Sequence, residues 1–100
     1  MPFVKVLPVS ALPPGSTAEV SIGENRYALC NLNGEIHALN GICPCSGGPL
    51  GQGVLQGNLL VCPWHGWAWD TKTGEAEQNP SVKVAVYPLK IENGEVLVEL

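Results

Sequence analysis

The chain reads as all-β, a small antiparallel β-sandwich. Apolar residues alternate with polar ones at a period of two in several short stretches, and Asn-Gly pairs fall between those stretches. No window holds a sustained 3.6-residue periodicity with caps. Twelve glycines and nine prolines in 100 residues punctuate the chain too often for long helices. With 45% apolar residues, the length suits one domain, residues 1–100, with one modest core.

The elements follow in order. Ala18, Val20 and Ile22 alternate with Glu19 and Ser21 as one strand, and Gly23-Glu24-Asn25 turns the chain into a second from Arg26 to Cys30. Asn31-Leu32-Asn33-Gly34 is a hairpin signal leading to a strand from Glu35 to Leu39. Residues 40–53, rich in Gly and Pro, form a loop. Val54-Leu55 and Leu59-Leu60-Val61 make a tight hairpin around Gln56-Gly57-Asn58. Cys62 to Gly66 is a second loop, and Trp67 to Asp70 leads out of it. Val82, Val84 and Val86 alternate again, and a last hairpin joins Leu89-Lys90-Ile91 to residues 95–99 across Glu92-Asn93-Gly94. No internal repeat or low-complexity tract appears.

The formal charge is −4, nine acids against five bases, without the basic stripe of a nucleic-acid binder. An acidic surface suits a mobile protein docking on a basic patch, and is equally ordinary for a soluble protein. The N-terminus has no basic segment followed by an apolar one, so a secretory signal is not expected, and no window approaches a membrane span. The expectation is a soluble, cytoplasmic chain whose thiols stay reduced.

Two clusters carry the chemistry. Cys43-Pro44-Cys45 and Cys62-Pro63-Trp64-His65 supply three thiols and one imidazole, with sixteen residues between Cys45 and Cys62. Four soft donors on two short loops meet the needs of a tetrahedral zinc ion or of an iron–sulfur cluster. The intervening hairpin carries both loops to one end of a small sheet. Cys30, on a strand, reads as a small buried apolar residue rather than a fifth ligand, and His37 as structural or surface. Trp67 and Trp69 read as packing at the loop base, Trp64 as an exposed neighbour of His65, and Ser46 as a turn cap. No Ser-His-Asp set, phosphate loop or carboxylate pair stands out.

The run Cys43-Pro44-Cys45-Ser46-Gly47-Gly48-Pro49-Leu50, followed by Cys62-Pro63-Trp64-His65-Gly66-Trp67, resembles the Rieske-type [2Fe–2S] ferredoxin family. Asp70 to Glu75, Asn79-Pro80 and the closing hairpin resemble it as well, so the likeness covers essentially the whole chain. The family pattern is Cys-x-His, a spacer of this length, then Cys-x-x-His. Cys45 stands where the family has its first histidine. The resemblance implies a Rieske-type fold whose cluster-binding part spans about residues 40–70. It implies a [2Fe–2S] cluster with Cys43 and Cys62 on one iron and Cys45 and His65 on the other. It also implies an electron carrier, monomeric, passing one electron from a flavin-containing reductase to an oxygenase such as an aromatic-ring-hydroxylating dioxygenase. The electron would leave through the His65 edge. Pro80 would belong to a third loop shielding the cluster. Trp67 falls where a serine would donate a hydrogen bond to the cluster. A structural Cys₃His zinc module and a labile-cluster sensor or transfer protein stand as alternatives.

Overall fold

The computed structural model describes residues 3–43, 47–64 and 66–99. Among the described residues ten strands run in chain order: β1 (Phe3–Pro8), β2 (Thr17–Ile22), β3 (Asn25–Leu32), β4 (Glu35–Asn40), β5 (Val54–Gln56), β6 (Leu59–Val61), β7 (Ala68–Asp70), β8 (Val86–Tyr87), β9 (Leu89–Glu92) and β10 (Glu95–Glu99). Two 3₁₀ turns, Val9–Ala11 and Leu50–Gln52, interrupt them. Among the described residues no helix is long and apolar enough to cross a membrane.

The strands form three antiparallel sheets, in the orders β1-β10-β9, β2-β3-β4-β8 and β5-β6-β7. The expected hairpins are present. Asn33 and Gly34 (φ +54° and +98°) join β3 to β4, and Asn93 and Gly94 (φ +52° and +77°) join β9 to β10. Both pairs hold the left-handed backbone that a two-residue hairpin turn needs, which glycine adopts freely and asparagine tolerates. Gly57 (φ +62°) turns β5 into β6.

Period-two alternation explains the layering. On β3, Tyr27 and Leu29 face one way and Ala28 and Cys30 the other, and all four are buried. The first pair joins Ile36, Ala38, Val96 and Val98 in the core between the outer sheet and the central one. The second joins Leu39, Leu50, Leu60 and Trp69 in a separate core between the central sheet and the small β5-β6-β7 sheet. The central sheet is thus a wall shared by two cores.

Two readings of the sequence differ from the fold. The N-terminal β1 pairs with β10, more than 80 residues away in the chain, so no local turn signals it. The alternation at Val82, Val84 and Val86 yields only the two-residue β8. Val82 and Val84 instead hydrogen-bond singly with the turn at 74–76: the Ala76 amide donates to the Val82 carbonyl and the Val84 amide to the Gly74 carbonyl, each at 2.9 Å.

Candidate metal centre

The first ligand loop is set on the central sheet before it reaches its cysteine. The Gly41 amide donates to the Arg26 carbonyl (2.9 Å) and the Leu50 amide to the Gly41 carbonyl (2.9 Å), closing the base of the loop. Leu50 is fully buried behind it. A Cβ on Gly51 would sit 2.8 Å from the Cα of Glu19, so only glycine lets the 3₁₀ turn lie flat on β2. Thr17 Oγ1 donates to the Gly53 carbonyl (2.9 Å) where the loop returns.

The second loop leaves β6 and re-enters at β7. Gln78 braces that exit, its Oε1 accepting from the Ala68 amide (3.1 Å) and its Nε2 donating to the Gly66 carbonyl (3.3 Å). Gln78 was not legible as a site residue, because its partners are backbone groups. Pro80 lines a cleft with Asn58, Leu59, Asp70, Glu75, Ala76 and Glu77. Gln78, two residues before Pro80, contacts the second loop at Gly66.

The two loops close in the same way, which the sequence reading missed when it found no internal repeat. The Cys43 amide donates to the Gly48 carbonyl (2.9 Å) and the Cys62 amide to the Trp67 carbonyl (2.8 Å), each five residues on. The Gly47 amide donates back to the Cys43 carbonyl (2.7 Å) and the Gly66 amide to the Cys62 carbonyl (3.2 Å), each four residues on. Gly47 and Gly66 both have φ +73°. Ile42 bridges Pro49 as Val61 pairs with Ala68, one residue before and six after each cysteine. The signal was present as Cys-Pro-x-x-Gly written twice.

These closures bury both cysteines, at 0% and 1% exposure, in the core shared with Leu50, Leu60 and Trp69. The loops meet at Gly48, where a Cβ would stand 3.0 Å from Cys62 Sγ and 3.0 Å from Cγ of Trp64. Of the four predicted ligands, the structure brings Cys43 and Cys62 to this junction. Cys45 and His65 lie outside the described residues, as does Ser46. Trp69 is fully buried and stacks at a tilt on Trp67, ring centroids 5.9 Å apart, at the base of the second loop. Trp64 is 59% exposed.

The other candidates have structural roles. Cys30 is a buried free thiol that donates weakly to the His37 carbonyl (Sγ to O, 3.9 Å). Burial pushes its pKa up to about 11, partly offset by that hydrogen bond, so it stays a protonated thiol. It lines the same core as Cys43 and Cys62. His37 lies beside Glu35, Nε2 to Oε1 2.8 Å, on the central sheet.

A junction of two glycine-closed loops, each burying a cysteine, with one loop's backbone pressed against the other's thiol, is what a sulfur-ligated cluster requires. The Rieske [2Fe-2S] domain family matches residues 2–88. The chain belongs to that family. The resemblance read from the paired Cys loops is therefore correct, and so is the all-β, Rieske-type fold. The cofactor of the family is a [2Fe–2S] cluster, and the glycine cradle against Cys62 Sγ fits such a group.

Three comparisons place this Rieske domain further. It is 32% identical over 90 residues to the ferredoxin component of the naphthalene 1,2-dioxygenase/salicylate 5-hydroxylase systems of Ralstonia sp., covering 89% of this chain and 86% of that one. It is 38% identical over 91 residues to human apoptosis-inducing factor 3. There the match covers 90% of this chain and 15% of the relative's length, so the chain corresponds to a small part of that protein. Among solved structures, a chain of the complex of reduced oxygenase and oxidized ferredoxin in carbazole 1,9a-dioxygenase superposes with a TM-score of 0.87 at 28% identity, covering 96% of this chain and 91% of that one.

Proposed function

We propose that this chain is a Rieske-type ferredoxin, an electron carrier rather than a catalyst, that takes one electron from a flavin-containing reductase and passes it to an oxygenase such as an aromatic-ring-hydroxylating dioxygenase. The observation that carries the reading is the junction at Gly48, where two identically closed loops bury Cys43 and Cys62 in one core. The ferredoxin names of the 32% identical relative and of the superposed complex support it. Such a carrier works as a monomer in the cytoplasm and meets its partners transiently.

In this reading Cys43 and Cys62 hold one iron, and Cys45 and His65 hold the other. When bound, the cluster supplies one-electron chemistry. The chain's own part is to clasp it and to exclude water with the Leu50, Leu60 and Trp69 core. The chain departs from the family at Cys45. Two ferric irons and two sulfides carry two positive charges, which two thiolates and two imidazoles cancel. Three thiolates and one imidazole leave one negative charge, and a more negative centre resists an added electron. The potential is therefore set below the Rieske range of about −150 to +300 mV, towards the plant-type value of about −400 mV.

The test is metal and sulfide analysis of the freshly purified protein with spectra and a potential, repeated on Cys45→Ser and Cys45→His. The expected result is iron with acid-labile sulfide, a spectrum altered by Cys45→Ser, and a higher potential in Cys45→His. Zinc in place of iron would replace the carrier with a structural module. Unchanged spectra in Cys45→Ser would remove Cys45 from the ligand set.

A further inference from the structure

The chain has three tryptophans, and Trp69 alone among them is fully enclosed, at 0% exposure. Its indole Nε1–H has no hydrogen-bond partner among the described residues. Packing at the loop base accounts for the ring but not for the nitrogen. A buried donor without an acceptor forfeits the hydrogen bond it made to water in the unfolded chain, and folded proteins seldom keep one. The other enclosed nitrogen without a hydrogen bond, His37 Nε2, at least faces the Glu35 carboxylate at 2.8 Å.

The strand register shows what lies near the indole. Leu60 stands opposite Trp69 and Val61 opposite Ala68 on the β6–β7 ladder. The Cys62 amide, bonded to the Trp67 carbonyl, carries the ladder one residue further. Side chains alternate between faces, so Leu60, Cys62, Trp67 and Trp69 share one face. The contact between the Trp67 and Trp69 rings, and the burial of Trp69 with Leu60 and Cys62 in one core, agree with that register. Trp69 is thus the diagonal neighbour of Cys62, a spacing that an aromatic side chain spans.

Side-chain acceptors are few there. The buried members of this core are Ala, Leu and Val residues, the indole and three cysteines. The two buried polar side chains among the described residues are engaged elsewhere, Asn31 with Leu12 and Gly34, and Thr71 with the Asn58 carbonyl. Of the three sulfurs, Cys30 is a protonated thiol whose hydrogen goes to the His37 carbonyl. Cys43 and Cys62 are the two that iron would convert to thiolates, and a charged sulfur accepts more strongly than a thiol.

We propose that Trp69 is a hydrogen-bond donor to the cluster, its Nε1–H pairing with a sulfur on the Cys62 side. The inference rests on the cluster reading above and adds a residue to it. Such a bond strengthens as negative charge gathers on the sulfur, so it favours the reduced state over the oxidised one. Trp69 therefore raises the potential, against the lowering by a third thiolate. It supplies from inside the fold the kind of donor that position 67, a tryptophan in place of a hydroxyl, does not.

The experiment labels the tryptophan indoles with nitrogen-15 and records pulsed electron-paramagnetic spectra of the reduced, cluster-loaded chain, together with its potential. Wild type is expected to show an isotropic indole-nitrogen coupling, which needs a bonded path to the cluster and which packing alone does not give. Trp69→Phe keeps an aromatic ring and removes the donor. It should lose the coupling, and its reduction equilibrium should shift about tenfold towards the oxidised form, a fall of about 59 mV for one electron. A loaded wild type without the coupling, or a loaded Trp69→Phe with wild-type coupling or wild-type potential, overturns the donor role while the carrier reading stands. If Trp69→Phe fails to load, the double variant Trp64→Phe/Trp67→Phe decides, since Trp69 is then the one indole in the chain. The coupling must persist in it, and its absence overturns the proposal. A wild-type chain that binds no iron and sulfide overturns the cluster reading together with the donor.

Discussion

Gly48 shows how much one side chain controls in this site. Its backbone angles do not demand glycine, so the requirement is spatial: the first methyl group of any other residue would press on Cys62 Sγ and on the Trp64 ring, each at 3.0 Å. Trp64 is exposed and can yield, but the Cys62 thiol, the proposed iron ligand, is buried and cannot. Gly48→Ala is therefore expected to cost about 1–3 kcal/mol and to lower iron content, because the strain falls on the proposed ligand Cys62. A thermal melt with iron analysis checks this, since about 1 kcal/mol shifts the midpoint of a domain this size by roughly 4–8 °C. Wild-type loading and an unshifted midpoint would show that the loops do not meet there. Cys30 tests burial without ligation. Its thiol is held up to about 11. In the unfolded chain it titrates near the ordinary value of 9.0. Because the folded value is the higher one, its contribution is complete below pH 9 and is lost as pH rises through 11, on the order of 2 kcal/mol. Tyr87, also raised by burial and then by neighbouring Tyr27, adds to the same alkaline limb. Urea unfolding at pH 8 and pH 10.5 should thus show a smaller alkaline loss in Cys30→Ala than in the wild type.

At the scale of elements, glycines divide into those fixed by space and those fixed by angle. Gly53, at φ −76°, has an ordinary backbone, but a Cβ there would penetrate the Val61 carbonyl where the first loop passes into β5. Gly57 has φ +62° and nothing within 4 Å of a Cβ. Gly57→Ala should cost only the left-handed penalty of about 1–2 kcal/mol. Gly53→Ala should cost distinctly more, because backbone must move and β5 with it. Chemical denaturation of the pair decides, and equal losses would contradict this packing. The same distinction explains what the sequence allowed one to read. Asn33-Gly34, Gly57 and Asn93-Gly94 were legible because a turn writes its angle into its own residues. The cysteine clusters were legible because thiols at such spacing have few other uses. Gly53 and Gly51 were not, since their neighbours are Val61 and Glu19 from other elements. Likewise β1 needs β10 to be a strand, and Gln78 recognises backbone that any sequence could supply. The Val82–Val86 alternation misled because a period of two reports extended chain, and here the partner is a turn offering single bonds rather than a ladder.

For the molecule as a whole, the decisive fact is that one sheet serves two cores. Tyr27 and Leu29 pack towards Val96 and Val98, while Ala28 and Cys30 pack towards Leu60, Trp69, Cys43 and Cys62. The first core consists of ordinary apolar contacts between the outer and central sheets. The second is thin: its small sheet has strands of three residues each, and two of its buried members are Cys43 and Cys62. A module that small draws much of its order from whatever ties its ligands together, because metal-binding free energy is folding free energy in such sites. Removing the cluster with a chelator under reducing conditions should therefore loosen the molecule unevenly. In hydrogen exchange, amides of residues 40–70 are expected to lose protection by about tenfold or more, as a local unit opening below the global barrier. Those of β1, β3, β9 and β10 should stay protected, held by the Leu29, Val96 and Val98 core. Loss of protection throughout would mean that the outer core cannot stand without the inner one. Unchanged protection at 40–70 would mean that the loops are held by the Gly41, Leu50 and Gln78 hydrogen bonds alone, and that the cluster is a guest in a site already built.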